Sequence, residues 1–276
     1  MKRVLGVPRA ARRLAGAVVA ALCLAGVALA QDEVPFITTP DHVTLAMLEL
    51  AAVGPTDHVI DLGSGDGRIV ITAARRFGAR GLGVEIVPEL VKKSRELARS
   101  AGVHERVEFR EQDLFATDLG GATVVTMYLL PAVNLQLRPR LLTLAPGTRV
   151  VSHDWDMGDW LPDRTLTVDV PDKAVGREKL SRIHLWIVPA VVQGTWCVAG
   201  DRLEIVQRFQ AFSATLSVKG SPVPLVFDGR IEGKTLRSPG TPSFELEGDA
   251  LRARGGAIAP GWPAEALFRR ADASSC

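Results

Sequence analysis

Apolar and polar positions in the first two thirds of the chain follow two alternating patterns. Short apolar runs, typical of strands buried on both faces, are followed by longer segments with the apolar spacing of amphipathic helices. Strands are predicted at residues 58–62, 81–85, 106–110, 122–129, 149–152, 165–170 and 183–188. Helices are predicted at residues 42–53, 68–77, 88–102 and 131–144. This alternation predicts an α/β fold with a mostly parallel sheet and right-handed crossovers.

The end of this region departs from the alternation. Residues 155–164, between the fifth and sixth predicted strands, are too few for a normal crossover helix. We therefore expect the last two strands to form an antiparallel pair at the edge of a seven-stranded sheet.

The pattern changes again after Pro189, where the helical spacing disappears. Short alternating apolar runs recur at residues 195–198, 202–206, 214–218, 223–227 and 243–246. Gly, Asp and Pro separate these runs, as is typical of tight turns. The pattern predicts a small all-β domain, a sandwich or a barrel, at residues 191–276, after an α/β domain at residues 31–190.

Residues 1–30 have the three parts of a secretory signal peptide. Basic residues come first, an apolar stretch follows at residues 14–29, and Ala28-Leu29-Ala30 is a small-x-small cleavage site. We expect this segment to be cleaved and the mature protein to be exported to the periplasm. The apolar stretch is shorter than the ~20 residues that span a bilayer comfortably. An uncleaved inner-membrane anchor is the alternative, and only in that case do we expect a membrane contact.

The net charge argues against a nucleic-acid partner. The whole chain has 33 basic and 31 acidic residues, but five of the basic ones lie in the first thirty. The remainder, with 28 basic against 31 acidic residues, is mildly acidic and has no basic stripe.

Two cysteines, Cys197 and Cys276, remain after the predicted cleavage. An oxidising compartment permits one disulfide between them, and two unpaired thiols are the alternative. The sequence has no Cys or His spacing of the kind that binds metals, so we expect no metal site.

The clearest chemical signal is the motif Val59-Ile60-Asp61-Leu62-Gly63-Ser64-Gly65-Asp66-Gly67-Arg68. It leads from a predicted buried strand through a glycine turn into a predicted helix, which brings backbone amides close to a ligand. Glu85, at the end of the next predicted strand, stands where a ribose-binding carboxylate is expected.

A dinucleotide and S-adenosylmethionine are the two ligands to weigh for this turn. The dinucleotide motif G-x-G-x-x-G would need its third glycine at the position of Arg68. Asp61 at the end of the first strand suits the cationic amino group of a methionine moiety better than it suits a pyrophosphate. The motif therefore favours S-adenosylmethionine, and a tight turn that binds no ligand is the structural alternative.

These residues resemble those of class I S-adenosylmethionine-dependent methyltransferases over residues 35–190. The resemblance implies a Rossmann-like seven-stranded methyltransferase sheet with S-adenosyl-L-methionine as cofactor. It also implies that Asp61 holds the amino acid part of the cofactor and that Glu85 binds the ribose hydroxyls. Asp113 stands where the family binds the adenine amino group, with a helix N-cap as the alternative. The turn residues expected against the cofactor are Gly63, Ser64, Gly65 and Gly67.

Three further stretches resemble the ATP-synthase c-subunit lysine N-methyltransferases and their bacterial relatives. They are Pro35-Phe36-Ile37-Thr38-Thr39-Pro40-Asp41, Val124-Val125-Thr126-Met127-Tyr128-Leu129-Leu130-Pro131 and Val150-Val151-Ser152-His153-Asp154. This closer resemblance implies a protein lysine as the methyl acceptor. Thr38, Thr39 and Asp41, just before the first helix, either fold over the cofactor or cap the helix.

The acceptor is expected beyond the carboxyl ends of the fourth and fifth strands. Tyr128, His153 and Asp154 are the candidate catalytic residues there. Asp154 and Asp156 flank Trp155, and carboxylates beside an indole suit a cationic amine. The alternatives are a core aromatic for the tyrosine, a structural histidine, and a polar surface turn for the two acids.

We therefore predict an S-adenosylmethionine-dependent methyltransferase of the EC 2.1.1 class. It is expected to N-methylate a protein lysine or another small amine by in-line methyl transfer. Methylation of a small molecule is the enzymatic alternative. Because the cofactor is made in the cytosol and the chain is predicted to be exported, a binding protein with a degenerate methyltransferase domain is the non-enzymatic alternative.

Overall fold

A seven-stranded sheet forms the centre of the α/β domain in the described part of the chain. The computed structural model describes residues 37–174, 178–255, 265–271 and 276. The strands are β1 (His58–Leu62), β2 (Arg80–Glu85), β3 (Val107–Glu111), β4 (Val124–Met127), β5 (Arg149–His153), β6 (Arg164–Asp169) and β7 (Leu180–Ile187). Their order across the sheet is β3-β2-β1-β4-β5-β7-β6, so the structure has the seven-stranded Rossmann-like sheet that the resemblance implies.

Among the described residues of this domain, one α-helix precedes β1 and three more connect parallel strands, all close to their predicted positions. They are α1 (Asp41–Leu50), α2 (Arg68–Phe77), α3 (Pro88–Ser100) and α4 (Pro131–Leu141). Helix α2 lies between Gly67 and Gly78, which both take the left-handed conformation that favours glycine. Helices α3 and α4 each begin with a proline, whose fixed φ suits the first helical position.

Helix α1 and strand β4 end earlier than predicted, for local reasons. Helix α1 ends at Leu50 because Ala52 has a φ of 49°, outside the helical region. Strand β4 covers only Val124–Met127, because the chain leaves the sheet at Tyr128 on its way to the start of α4 at Pro131.

The edge pair of the sheet is antiparallel, as predicted. Strands β1 to β5 pair in parallel, whereas β7 runs antiparallel to both β5 and β6. Strand β6 therefore points the same way as β5, and the loop between β6 and β7 lies at the carboxyl edge of the sheet. The candidate site is built along this edge.

Apolar side chains cover both faces of the sheet. One face packs against α4, with Leu137, Leu141 and Trp160 fully buried. The other packs against α1 and α2, through residues such as Met47 and Ile69. With both faces covered, the strands have the continuous apolar runs of a buried parallel sheet.

The C-terminal region is a closed eight-stranded antiparallel barrel, one of the two architectures that the sequence predicts. Its strands are β8 (Gly194–Val198), β9 (Asp201–Arg208), β10 (Ala211–Ser217), β11 (Leu225–Glu232), β12 (Thr235–Arg237), β13 (Ser243–Glu247), β14 (Ala250–Arg254) and β15 (Leu267–Ala271). Strand β15 pairs with β8 and closes the barrel. Trp196, Phe244 and Phe268 are fully buried inside it, so the interior is a packed core.

A hairpin of the barrel packs against the loop that joins β5 to β6. The Phe209 ring stacks on the Trp160 ring at a centroid distance of 6.2 Å, and the Arg138 guanidinium lies 5.7 Å from the Phe209 centroid. The Gln210 side-chain amide donates to the Leu161 carbonyl oxygen at 2.6 Å. The barrel therefore supports a loop that begins at the carboxyl edge of the sheet.

Cys197 on β8 and Cys276 form a disulfide, the first of the two states that the sequence permits. Within the described residues, no helix combines the length and apolar character needed to cross a bilayer. The predicted signal peptide lies outside the described residues.

Candidate active site

The turn after β1 presents backbone amides at the carboxyl edge of the sheet. Gly63, Gly65 and Gly67 have φ values of 72°, 54° and 79°, which residues with a side chain rarely adopt. The N–H groups of Gly63 and Ser64 donate to the Val84 carbonyl oxygen at 3.0 and 2.9 Å. These bonds to β2 hold the turn in place without a ligand.

Two of the predicted cofactor-binding residues face the protein interior. A Cβ on Gly67 would lie 2.6 Å from the Phe109 ring and 2.8 Å from the Ser94 Cβ. The Ser64 hydroxyl is buried without a hydrogen-bond partner among the described residues, 2.7 Å from the Cβ position of Gly83. Both residues pack the turn against the sheet and α3, and their contact with a cofactor stays a prediction.

Asp61 is a buried carboxylate at the end of β1. It is 2% exposed and accepts a hydrogen bond of 2.7 Å from the hydroxyl of Thr126, its register partner on β4. Burial raises the pKa of Asp61 to about 7, the Thr126 hydrogen bond opposes the rise, and the negative charges of Glu85 and Asp66 add to it. A cation beside this carboxylate would lower its pKa again, because it favours the ionised form and offsets the negative charges of Glu85 and Asp66.

Glu85 ends β2 with its carboxylate on the glycine turn. One oxygen accepts from the Gly65 N–H at 3.0 Å, and the other accepts from the N–H groups of Ile86 and Val87 at 2.8 and 3.1 Å. These three bonds orient the carboxylate at the edge of the sheet. Of the four acceptor sites of a carboxylate, one remains, on the oxygen that bonds to Gly65, and a sugar hydroxyl can fill it.

Asp113 follows β3 at the same edge and caps a short helix. Its Oδ1 accepts from the Phe115 N–H at 2.8 Å, at the start of the 3-10 helix Leu114–Ala116. This is the capping role that the sequence analysis gave as the alternative. The side chain is exposed, and its predicted contact with an adenine ring stays a prediction.

Arg68 ties the glycine turn to the segment before α1. Its guanidinium makes a bidentate pair with Asp66, at 3.0 and 2.8 Å, and donates to the Thr39 carbonyl oxygen at 2.8 Å. Burial alone would raise the pKa of Asp66, but the hydrogen bonds and charge of Arg68 hold it below its usual value. The segment that was expected to fold over the cofactor is therefore anchored beside the glycine turn.

A second polar cluster lies at the carboxyl ends of β4 and β5. The Tyr128 hydroxyl donates to Asp154 Oδ2 at 3.4 Å, and the Lys173 Nζ lies 2.8 Å from the same oxygen. Asp154 Oδ1 accepts from the Arg182 N–H at 3.1 Å. Burial, together with the charge of Asp154, raises the pKa of Tyr128 to about 12. The phenol therefore stays protonated near neutral pH and acts there as a hydrogen-bond donor.

His153 lies beneath this cluster as a buried, neutral side chain. Its Nδ1 is hydrogen bonded to the Thr39 hydroxyl at 3.2 Å and its Nε2 to the Ser181 hydroxyl at 2.8 Å. The imidazole packs against the Tyr128 ring with centroids 4.0 Å apart. Burial lowers the pKa of His153 to about 4, although the nearby Asp154 opposes the shift. With both ring nitrogens engaged, the geometry favours the structural role that was weighed against general-base catalysis.

The three residues after His153 differ in their surroundings. Asp154 has a φ of 63°, a conformation that Asp and Asn adopt more readily than most residues. Trp155 is 41% exposed. Asp156 accepts from the Gly158 N–H at 3.0 Å, as in a surface turn. The buried Asn134 amide of α4 donates to the backbone carbonyls of residues 155 and 156. Of the two acids, only Asp154 turns into the polar cluster.

Three contributors to the site were not identified from the sequence. Thr126 reaches Asp61 through strand register, which an apolar run does not reveal. Ser181 reaches His153 because β7 lies beside β5. Lys173 comes from the loop between β6 and β7, where no motif distinguishes it. In the described ranges, no group of three or more His, Cys, Asp or Glu side chains is placed to hold a metal ion.

Comparison with protein-family models identifies a methyltransferase domain in this chain. The model described as the ANTKMT methyltransferase domain matches residues 61–164, from the acid at the end of β1 to the start of β6. The matched segment contains Glu85, Asp113, Tyr128 and Asp154.

Two curated relatives are named as lysine methyltransferases. A protein-lysine N-methyltransferase of Saccharolobus islandicus (strain REY15A) is 44% identical over 138 residues, which cover 49% of this chain and 86% of the relative. An ATP-synthase c-subunit lysine N-methyltransferase of Xenopus laevis is 37% identical over 131 residues. That match covers 47% of this chain and 56% of the relative.

A similar solved structure contains S-adenosyl-L-homocysteine, the product that S-adenosylmethionine leaves after methyl transfer. It is described as an RNA methyltransferase from Salinibacter ruber in complex with S-adenosyl-L-homocysteine. It is 55% identical to this chain with a TM-score of 0.51, over 56% of this chain and 96% of that chain. Its covered share corresponds in length to the α/β domain alone.

Proposed function

Because the chain belongs to the methyltransferase family that includes the ATP-synthase c-subunit lysine N-methyltransferases, we propose that it methylates a lysine amine of a protein. The reaction class and the cofactor are those of the family: the chain is an S-adenosylmethionine-dependent methyltransferase. The observation that carries the lysine acceptor is the Asp154 carboxylate, held by Tyr128 at the carboxyl edge and already paired with an ammonium group.

The residues of the glycine turn fit S-adenosylmethionine. The buried Asp61 carboxylate, with its raised pKa, gains from the positive amino group of the methionine moiety. The oriented Glu85 carboxylate suits a ribose diol. Gly63 and Gly65 leave the turn without side chains where a nucleoside must approach the backbone.

The protein's part in the reaction is to bind and align the acceptor. The cofactor, when bound, supplies a methyl group that its sulfonium has already activated. Asp154 and Tyr128 bind the incoming lysine as an ammonium ion, by charge and by hydrogen bonding. The amine gives up one proton to solvent before it attacks, because the Tyr128 phenol is itself protonated and His153 has both nitrogens engaged. In-line alignment with the methyl group then accounts for the rate.

Labelled cofactor distinguishes the acceptor classes. Purified protein is incubated with methyl-labelled S-adenosylmethionine and cell extract, in parallel with extract treated with ribonuclease or with protease. We expect label in a protein band that survives ribonuclease, and mass spectrometry should place the methyl groups on lysine. Label that ribonuclease removes would contradict a lysine acceptor and favour RNA, the substrate in the name of the Salinibacter ruber structure. Label confined to small molecules would contradict both.

The affinity for the cofactor should increase with pH because of Asp61. Since the pKa of Asp61 is raised to about 7, most of its carboxyl groups are protonated at pH 6, and the ionised form that attracts an ammonium is the minority. Binding at pH 6 should be roughly five- to tenfold weaker than at pH 7.5, a range in which most of the ligand's amino groups stay protonated, because an α-amino group has a pKa of about 7.7–8.0. Calorimetry in two buffers of different ionisation enthalpy should also detect proton release below pH 7.

The matched variant for this measurement is Asp61→Asn, which keeps the Thr126 contact and cannot ionise. It should bind the cofactor more weakly at every pH, and its affinity should not vary between pH 6 and 7.5. An affinity of the native protein that is flat over this range would contradict the role of Asp61.

We also propose that the mature protein acts in the periplasm. The signal-like residues 1–30 support this location, as does the disulfide between Cys197 and Cys276, a bond that is rare in the reducing cytosol. Fractionation of the native host should find the protein in the periplasm with no titratable thiol in the mature chain. Protein confined to the cytosol, with two free thiols, would contradict the proposal.

A further inference from the structure

Lys173 is a lysine of the protein itself that lies inside the cluster where the acceptor amine is expected. It belongs to the loop between β6 and β7, at the carboxyl edge of the sheet. Its Nζ is 2.8 Å from Asp154 Oδ2, the oxygen that also accepts from the Tyr128 hydroxyl. The ammonium donates a further hydrogen bond to the Leu180 carbonyl oxygen. The side chain is only 15% exposed, so the contact is not a loose surface pair.

These contacts are the ones that a substrate lysine requires. A lysine side chain offers a compact ammonium with three donors on a flexible four-carbon stem. A carboxylate that a phenol also bonds, together with a backbone carbonyl oxygen, forms a binding site for a primary alkylammonium ion. Because an ion pair at this depth has lost much of its hydration, the Asp154 carboxylate without a cation would be costly to keep buried.

We propose that Lys173 occupies the acceptor-ammonium position in cis, and that a substrate lysine binds by displacing it from Asp154. The position beside Asp154 therefore binds primary alkylammonium ions, and the protein's own Lys173 fills it until a substrate lysine binds. The inference rests on the proposed function, since it takes the Asp154 cluster as the acceptor site.

The loop that carries Lys173 allows its side chain to be replaced at Asp154 by a substrate lysine. Lys173 lies in a loop, and the hydrogen bonds of its backbone are local, from its N–H to the Val170 carbonyl oxygen and from the Lys179 ammonium to its own carbonyl oxygen. Asp154 is fixed by contrast, because its Oδ1 and its N–H both bond to the Arg182 backbone on β7. Displacement therefore moves a loop side chain and leaves the receiving carboxylate in place.

Binding of a small probe tests the displacement without relying on methyl transfer. Calorimetry measures the affinity of n-butylammonium for the full chain saturated with S-adenosyl-L-homocysteine. We expect Lys173→Met to bind the probe at least about fivefold more tightly than the native protein, because even an exposed competing ion pair contributes up to about 1 kcal/mol and this pair is mostly buried. Lys234→Met is the control, with the same charge loss at an exposed lysine between β11 and β12 of the barrel, and its affinity should stay at the native value. An unchanged or weaker affinity in Lys173→Met would overturn the proposal.

Chemical labelling gives a second readout on the native protein, which remains informative if Lys173→Met does not fold. An amine-reactive acetylating reagent is applied, and mass spectrometry quantifies the labelling of each lysine. Lys173 should react more slowly than Lys179, and n-butylammonium, which itself consumes part of the reagent, should increase the ratio of Lys173 labelling to Lys179 labelling. No increase at saturating probe would overturn the displacement.

The two proposals fail in distinguishable ways. If no protein lysine is methylated by any variant but Lys173→Met binds the probe more tightly, the internal occupant is supported and the lysine acceptor is rejected. If native protein methylates a lysine and the probe neither binds more tightly to Lys173→Met nor affects labelling, the acceptor assignment stands and the internal occupant is rejected.

Discussion

A Glu85→Ala variant should lose about 100-fold or more in affinity for S-adenosylmethionine while remaining folded. The carboxylate is oriented by the N–H groups of Gly65, Ile86 and Val87, and its remaining acceptor site, on the oxygen that bonds to Gly65, suits a ribose hydroxyl. A hydrogen bond to a charged group contributes about 1.5–3 kcal/mol, and 100-fold corresponds to about 2.8 kcal/mol, so the loss of one such bond near the top of the range accounts for that factor. Removing the side chain also leaves the Gly65 amide without its partner, which loosens the turn itself.

Calorimetry with S-adenosyl-L-homocysteine and S-adenosylmethionine measures the loss, and circular dichroism with thermal melting checks the fold. The matched control is Glu111→Ala. Glu111 is the register partner of Glu85 on the neighbouring strand β3, and it is an exposed carboxylate at the same edge. Its removal should leave the affinity for both ligands unchanged. If Glu85→Ala binds as tightly as the native protein, the assignment of this turn to the cofactor is wrong.

The cofactor half of the site was accessible from the sequence because its parts are consecutive along the chain. The motif from Val59 to Arg68 contains the strand, the turn and the acid, and Glu85 ends the next strand. In a parallel sheet, the ends of adjacent strands meet at one edge, so the proximity of these residues follows from the order of elements. The fold was predictable for the same reason, since apolar runs and helical spacing alternate over the whole domain.

The acceptor half was only partly accessible, because its contacts depend on long-range packing. Tyr128 and Asp154 follow predicted strands and were identified. The roles of His153 and Lys173 depend on which hydroxyls and carboxylates surround them, and these come from the segment before α1 and from β7. No local pattern encodes such a neighbourhood. The prediction of His153 as a possible base came from its residue type, whereas its burial and its two hydrogen bonds are properties of the folded chain.

The barrel was predictable as a class and not in detail. Five of its strands were located from alternating runs, and β12, β14 and β15 were not. Strand β12 has only three residues, too few for a period to be detected. Strands β14 and β15 carry arginines that salt bridge or face solvent between their apolar positions, as with Arg252 and Arg269. Closure of the barrel rests on the pairing of β15 with β8, which no local signal predicts.

An Asp154→Asn variant should lose about 100-fold in kcat/KM for the acceptor. Removing one partner of a part-buried charge pair typically costs about 2–5 kcal/mol. The affinity of the variant for S-adenosylmethionine should stay at the native value. Asparagine has the same shape and tolerates the φ of 63°, so the backbone is not strained by the change. Its amide oxygen can still accept from the Arg182 N–H. The variant therefore removes the negative charge that faces Tyr128 and Lys173 and preserves the local structure.

Asp156→Asn is the matched control, because it removes the same charge two residues along the same loop. The Asp156 side chain accepts from the Gly158 N–H in a surface turn, a bond that asparagine also makes. Steady-state kinetics with the acceptor identified by labelling should show the loss in Asp154→Asn and near-native values in Asp156→Asn. Equal losses in the two variants would mean that the loop attracts substrate by its overall charge. If Asp154→Asn has the kinetics of the native protein, the acceptor does not bind at this cluster. A loss confined to Asp154→Asn places the bound ammonium at a single carboxylate, next to the only tyrosine in the chain.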